Sequence, residues 1–98
     1  MNPHDFPALQ QFFPCWFHED FGGQVGDDLK AVREFLSTEP DWVVNEVRAE
    51  LVRFIDLPMT ESEMLRVLYD DFHSHYYIPE PEQTRAWLRR ILGAMQKH

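Results

Sequence analysis

The sequence has few of the residues that would cross-link the chain through disulfides or anchor it in a membrane. Its one cysteine, Cys15, cannot form an internal disulfide, which fits a reducing compartment. No basic segment followed by an apolar run opens the sequence, so we expect no secretory signal. The apolar stretches are far shorter than the roughly 20 residues that span a bilayer. We therefore predict a cytoplasmic protein, with residues 1–98 forming one domain.

Motifs of catalysis are also missing. The sequence contains no G-x-S-x-G, no Walker A, no H-E-x-x-H and no glycine-rich phosphate loop. Cys15 stands beside Trp16 on an apolar stripe, so we predict a small core residue rather than a nucleophile. We expect no catalytic residue and no cofactor, and the chain is not predicted to be an enzyme.

Positive charge is scarce along most of the chain. No Lys or Arg precedes Lys30, and between Asp56 and Glu82 seven carboxylates stand against one cation, Arg66. The net charge is −8. An acidic surface repels phosphate backbones, which disfavours direct binding of nucleic acid and favours a basic protein partner. Acidity that serves only solubility is the alternative.

What the sequence does have is helical periodicity. One apolar stripe, at spacings i, i+3, i+4, i+7 and i+8, consists of Leu9, Phe12, Phe13, Trp16 and Phe17. It predicts a first helix from about Pro7 that is broken or kinked at Pro14.

Later stripes predict further helices. The second helix is predicted to start with Asp27 or Asp28 as its cap, and the third to start near Pro40. The fourth starts at the capping box Thr60-Glu61-Ser62-Glu63, and the fifth near Glu82 to Thr84. Pro58 ends the long helix that follows Pro40, near Ile55. No segment alternates in the manner of a strand. The predicted fold class is all-α, a compact bundle of about five helices.

The stretch WFHEDF, residues 16–21, places a histidine and two carboxylates among three aromatic side chains. Consecutive residues of a helix point about 100° apart, so they form a poor ligand set for one metal ion. We predict instead a structural motif at a helix end, in which the aromatic rings are buried and Asp20 accepts backbone N–H groups. Its members are Trp16, Phe17, His18, Asp20 and Phe21.

The stretch HSHYYIPEPEQ, residues 73–83, contains two prolines and no helical pattern, so it predicts a loop. Its large side chains are either folded under the loop or exposed as anchors. Tyrosine beside carboxylates is typical of binding hot spots. The predicted partner-binding residues are Asp70, Asp71, His73, His75, Tyr76, Tyr77, Glu80 and Glu82.

A metal site is the alternative for the same loop. His73 and His75 are two residues apart and follow two carboxylates. A small metal-binding enzyme or sensor could use them. However, a structural zinc site takes four ligands at recognisable spacing, and this loop contains no cysteine and no second histidine pair. We predict no metal.

Four motifs in order also resemble a known family. They are WFHEDF, then FLSTEP at residues 35–40, LPMTESEM at residues 57–64 and TRAWLRRIL at residues 84–92. Together they are similar to motifs of the helical immunity proteins of bacterial contact-dependent growth inhibition systems. The likeness runs from about Leu9 to Leu92. It departs from the usual pattern at Glu19, where Gln is common, and in the long aromatic loop.

The resemblance implies a function. Such a protein binds the cognate CdiA C-terminal toxin domain, delivered by a neighbouring cell, and neutralises it in the cytoplasm without catalysis of its own. Many of these toxins are nucleases, whose surfaces are basic, so we expect a basic partner. An acidic regulatory adaptor for another basic protein is the remaining alternative.

Overall fold

Five α-helices make up most of the chain in this computed structural model, which describes residues 5–17, 27–76 and 78–96. They are α1 (Pro7–Trp16), α2 (Asp27–Thr38), α3 (Asp41–Ile55), α4 (Glu61–Arg66) and α5 (Thr84–Gln96). A π-helical segment, Val67–Asp71, extends α4, and a 3₁₀ turn, Pro81–Gln83, leads into α5. Those ranges contain no strand, and the predicted all-α class is confirmed. None of their helices is long and apolar enough to cross a membrane.

Aromatic rings fill the centre of the bundle. Phe13 of α1 stacks on Phe72, with ring centroids 5.9 Å apart and planes 5° apart. Phe12 meets Phe35 of α2 edge-on at 4.8 Å. Such pairs add roughly 0.5–1.5 kcal/mol each beyond the burial of their area. Helix α3 buries the apolar stripe along one of its faces: Val44, Val47, Leu51, Phe54 and Ile55.

Helix α1 departs from its prediction in two ways. It runs through Pro14 without a break; of the two predicted alternatives the break was therefore wrong, and the kink stays a prediction. Pro14 provides no N–H for the carbonyl of Gln10, and the helix continues for only two residues beyond it, to Trp16. Cys15 is exposed, so its predicted place in the core was also wrong. It follows the buried Phe13 by two positions, which is about 200° around the helix and therefore on the opposite side.

A side chain from α3 caps the N-terminus of α1. The N-cap residue, Phe6, supplies no side-chain acceptor. Instead Glu50 Oε1 accepts the backbone N–H groups of Ala8 at 2.9 Å and Leu9 at 3.1 Å. Burial raises the pKa of the Glu50 carboxyl above its ordinary range, and these two hydrogen bonds oppose the rise only in part.

Helix α2 is fastened to α5 by a buried carboxylate. Asp27 and Asp28 are the first two residues of α2, so the prediction that one of them is its N-cap was wrong. The residue that fastens the helix is Asp28. Its side chain is only 1% exposed. Asp28 Oδ2 accepts Trp87 Nε1 at 3.1 Å and Arg90 Nε at 3.2 Å. The cost of burying this charge is offset by a cation and a neutral donor.

Arg85 closes the junction between α3, α4 and α5. Its Nε donates to the carbonyl oxygen of Ile55 at 2.9 Å, and its Nη2 donates to those of Leu57 at 2.6 Å and Met59 at 2.7 Å. Its Nη1 meets Glu61 Oε1 at 2.9 Å, and Glu61 Oε2 accepts the backbone N–H of Arg85 at 2.8 Å. The last carbonyl of α3, two carbonyls of the turn that follows it and a backbone N–H in the first turn of α5 are therefore satisfied by one ion pair.

The capping box predicted at the start of α4 is confirmed. The backbone N–H of Glu63 donates to Thr60 Oγ1 at 3.1 Å, and that of Thr60 donates to Glu63 Oε1 at 3.3 Å. Local chemistry therefore starts this short helix without help from the rest of the fold.

Replacing Arg85 with methionine should destabilise the fold strongly. Arg85→Met keeps a long side chain but removes the guanidinium from the carbonyls of Ile55 and Met59. It also leaves the Leu57 carbonyl with only the N–H of Met59, and Glu61 with only the backbone N–H of residue 85. Hydrogen bonds to a charged group contribute roughly 1.5–3 kcal/mol, so we expect a loss of about 3 kcal/mol in the free energy of unfolding. Urea titration followed by circular dichroism measures it. Arg89→Met, at an exposed site of α5, is the control and should cost less than about 0.5 kcal/mol. Equal losses would contradict the role of Arg85 at this junction.

The raised pKa of Glu50 predicts a pH dependence of unusual sign. The folded chain holds this proton more tightly than the unfolded chain. The tighter binding of this proton therefore stabilises the fold fully below the pKa that Glu50 has in the unfolded chain, roughly 4.3. This stabilisation is lost as the pH rises through the higher pKa that Glu50 has in the folded chain. Glu50→Gln keeps an acceptor oxygen and does not ionise. We expect the unfolding free energy of wild type minus that of Glu50→Gln to fall between about pH 4 and pH 7. Urea titrations across that range test this; a constant or rising difference would refute it.

Candidate functional site

The acidic segment, residues 70–82, begins in an unusual turn. The N–H of Phe72 donates to the carbonyl of Val67 at 3.0 Å, five residues back, and that of Ser74 reaches Leu68 at 2.8 Å. Between them His73 has a φ of 55°, in the left-handed region that few non-glycine residues adopt. π-Helical turns of this kind are frequent at functional sites. No residue type in the sequence had signalled this one.

The rest of the segment is held against the bundle. The N–H of Ile78 donates to the hydroxyl of Tyr69 at 2.9 Å, and that of His75 donates to the carbonyl of Phe17 at 2.8 Å. Ile78 is buried. Tyr76 is half-buried and stacks on Trp87, with centroids 4.6 Å apart and planes at 7°. Of the two arrangements that the sequence had left open, Ile78 and one face of Tyr76 are folded under, whereas Tyr77 lies outside the described residues.

The fold brings the two acidic ends of the segment together. Asp70 and Pro81 line one depression of about 300 Å³, which Arg66 also borders. Glu80 and Glu82, on either side of Pro81, are exposed, as is Asp70, and Asp71 is half-exposed. Within the described ranges none of these four carboxylates forms an ion pair. Glu80 accepts a side-chain hydrogen bond from the neutral amide of Gln83 at 3.0 Å. Their charge is therefore available to an external cation.

A second cavity, of about 310 Å³, lies where the loop meets α5. Asp28, Tyr76, Trp87 and Arg90 are among its lining residues. Burial raises the pKa of the Tyr76 hydroxyl, the charge of Asp28 raises it further, and Arg90 opposes both. The Asp28 carboxylate accepts hydrogen bonds from Trp87 and Arg90, which holds α2 on α5. The stacking of Tyr76 on Trp87 holds the loop on the same helix.

The two histidines of the loop do not gather a ligand set. His73 and His75 are both exposed. Across the described part of the chain, no three or more His, Cys, Asp or Glu side chains are placed to hold a metal ion. The geometry therefore offers no support for the metal-binding alternative.

The WFHEDF stretch is described only at its start. Phe17 is fully buried and meets Trp87 edge-on at 5.5 Å, and Trp16 is half-buried against Phe35 at 5.8 Å. His18, Glu19, Asp20 and Phe21 lie outside the described residues. The role predicted for His18 and Asp20 stays a prediction.

Sequence comparison with known families decides the class of protein. The family described as CdiI immunity protein matches residues 5–95. The chain belongs to this family. It is an immunity protein of contact-dependent growth inhibition systems, and the resemblance seen in the four motifs is confirmed. No curated protein and no solved structure matches it.

For an immunity protein, the functional site is a surface that meets a toxin, and one candidate on that surface was missed from the sequence. Trp42, to which the sequence had assigned no role, is 64% exposed. It precedes the buried Val44 by two positions, so it points about 200° away from the core stripe of α3. The position of Trp42 off the apolar stripe of its helix was the feature of the sequence that could have identified it as exposed.

Proposed function

We propose that this immunity protein binds and neutralises, in the cytoplasm, the C-terminal toxin domain of the CdiA protein encoded beside it. We further propose that this domain is a nuclease with a basic surface. The match of the CdiI immunity protein family to residues 5–95 carries the proposal, since an immunity protein requires a cognate toxin. Inhibition needs no catalysis by the chain itself.

Electrostatics supports a basic partner. The chain carries a net charge of −8. A nuclease that holds phosphates presents cations, and opposite surface charges steer two proteins together at rates up to about 10⁸–10⁹ M⁻¹s⁻¹. Close charge pairs across such an interface couple by roughly 1.5–7 kcal/mol. An acidic inhibitor would therefore bind quickly as well as tightly.

We assign the toxin contact to the acidic segment. Its exposed members are Asp70, His73, His75, Glu80 and Glu82, with Asp71 and Tyr76 half-exposed. Tyr77, outside the described residues, belongs to the same proposed set. The supporting observation is that Asp70 and Pro81 border one depression while the neighbouring carboxylates have no paired cation among the described residues. The segment would cover the toxin's basic active site or the surface next to it.

Charge reversal on the acidic segment tests the assignment. The wild-type chain should bind the purified toxin domain in calorimetry and suppress its cleavage of RNA or DNA at equimolar concentration. The triple variant Asp70→Lys/Asp71→Lys/Glu80→Lys should bind at least about tenfold more weakly, with a shallower dependence on salt. Like charges would then face the toxin where opposite charges attract it.

A matched control separates local contact from net charge. Asp5→Lys/Glu34→Lys/Asp56→Lys changes the net charge by the same amount at exposed sites outside the segment. It should retain affinity within a few-fold. Equal weakening by both triples would remove the acidic segment from the interface, and a wild-type chain that does not bind the toxin domain would refute the proposed function.

A further inference from the structure

Trp42 is the most exposed large apolar side chain in the described part of the protein. It is 64% exposed, against 42% for Val52, the next. A single exposed apolar residue is ordinary on a protein surface. Trp42, however, borders a groove, and tryptophan is among the residues most enriched in binding hot spots. The residues around Trp42 therefore decide whether it is a binding residue.

The Trp42 groove, about 150 Å³ in volume, lies between α1, α3 and the end of α2. Its apolar lining comes from all three helices and includes Phe12, Trp16, Phe35 and Val43. The charged residues that line it are both carboxylates, Glu39 and Glu46. An apolar slot with acidic borders suits an apolar side chain that is flanked by a cation.

The carboxylates around this groove are not used inside the fold. Glu39, Asp41 and Glu46 form no ion pair and accept no side-chain hydrogen bond among residues 5–17, 27–76 and 78–96. Asp28 and Glu61, in contrast, are each bound to an arginine. The guanidinium of Arg53, farther along α3, sits over the Phe6 ring and donates to the backbone of Asp5. The described part of the chain therefore leaves the negative charge beside Trp42 unbalanced.

We propose that the Trp42 groove is a second docking site for the toxin domain, and that it receives a segment presenting Lys or Arg beside an apolar side chain. This inference rests on the proposed function, because the toxin is the partner. The apolar side chain would fill the groove and cover the indole. The cation would lie over the indole face and meet Glu39 or Glu46, an arrangement that gains strength as water is excluded.

Charge favours the toxin over a second copy of this chain. Two copies joined through their Trp42 grooves would place carboxylates against carboxylates, and like charges that face each other disfavour association. The groove also adjoins the acidic segment through the end of α1. Cys15 and Trp16 line the groove, while the next residue, Phe17, accepts the N–H of His75 and touches Tyr76. One partner could therefore contact both surfaces.

Truncation of Trp42 tests the groove. Calorimetry with the purified toxin domain should show Trp42→Ala binding at least about thirtyfold more weakly than wild type, the loss typical of a hot spot. Val52→Ala, at the next most exposed large apolar position among the described residues, is the control and should stay within about threefold. Both variants should melt within a few degrees of wild type, because both side chains are exposed. In addition, Glu39→Gln/Glu46→Gln should slow association and reduce its salt dependence.

The outcomes separate this inference from the proposed function. If Trp42→Ala binds the toxin domain with wild-type affinity, the groove is not a docking site, whereas the proposal that the chain neutralises the toxin would stand. Absence of binding by the wild-type chain would overturn both. A wild-type dimer in sedimentation that becomes a monomer in Trp42→Ala would assign the groove to a second copy and overturn its assignment to the toxin.

Discussion

The guanidinium of Arg85 is the contact on which the arrangement of this bundle most depends. It binds the carbonyl groups of Ile55, Leu57 and Met59 and the carboxylate of Glu61. Without it, the carbonyls of Ile55, at the end of α3, and Met59, in the turn into α4, would lose the donor that binds them. The same contact sets the start of α5, and α5 carries Trp87 into the centre of the molecule. The acidic segment depends on this in turn, because Tyr76 stacks on Trp87.

Carboxylates fall into two groups in this protein. Some build the fold: Asp28 binds Trp87 and Arg90, Glu50 caps α1 from α3, and Glu61 pairs with Arg85. Others, beside Pro81 and around Trp42, have no internal cation among the described residues. A free charge contributes little to stability, whereas repulsion between many like charges lowers it. In the proposed function, the second group attracts and binds a basic toxin.

The sequence predicted what local chemistry determines. The stripe of α3 and the capping box at Thr60 follow from spacing and residue type alone, and both are present. Contacts between distant residues were not predictable in this way. From the sequence alone, Glu50 is expected at the surface and Asp28 at a helix cap. Their actual roles depend on contacts with α1 and with Trp87, which are distant in the sequence. Cys15 was misplaced because a stripe was extended to a position that faces the opposite side of the helix.

The three tryptophan indoles provide the most direct test of the proposed toxin-binding surface, since each lies in a different setting. In the ¹⁵N–¹H spectrum of the labelled chain, a saturating amount of toxin domain should shift or broaden the Trp42 indole signal, because the partner covers it. The Trp87 signal should move less than that of Trp42, because its N–H is bound to the buried Asp28, although its ring stacks on Tyr76 of the acidic segment. A saturated complex in which the Trp42 signal is unmoved would contradict the claim that Trp42 and the carboxylates around it belong to the surface that binds the toxin.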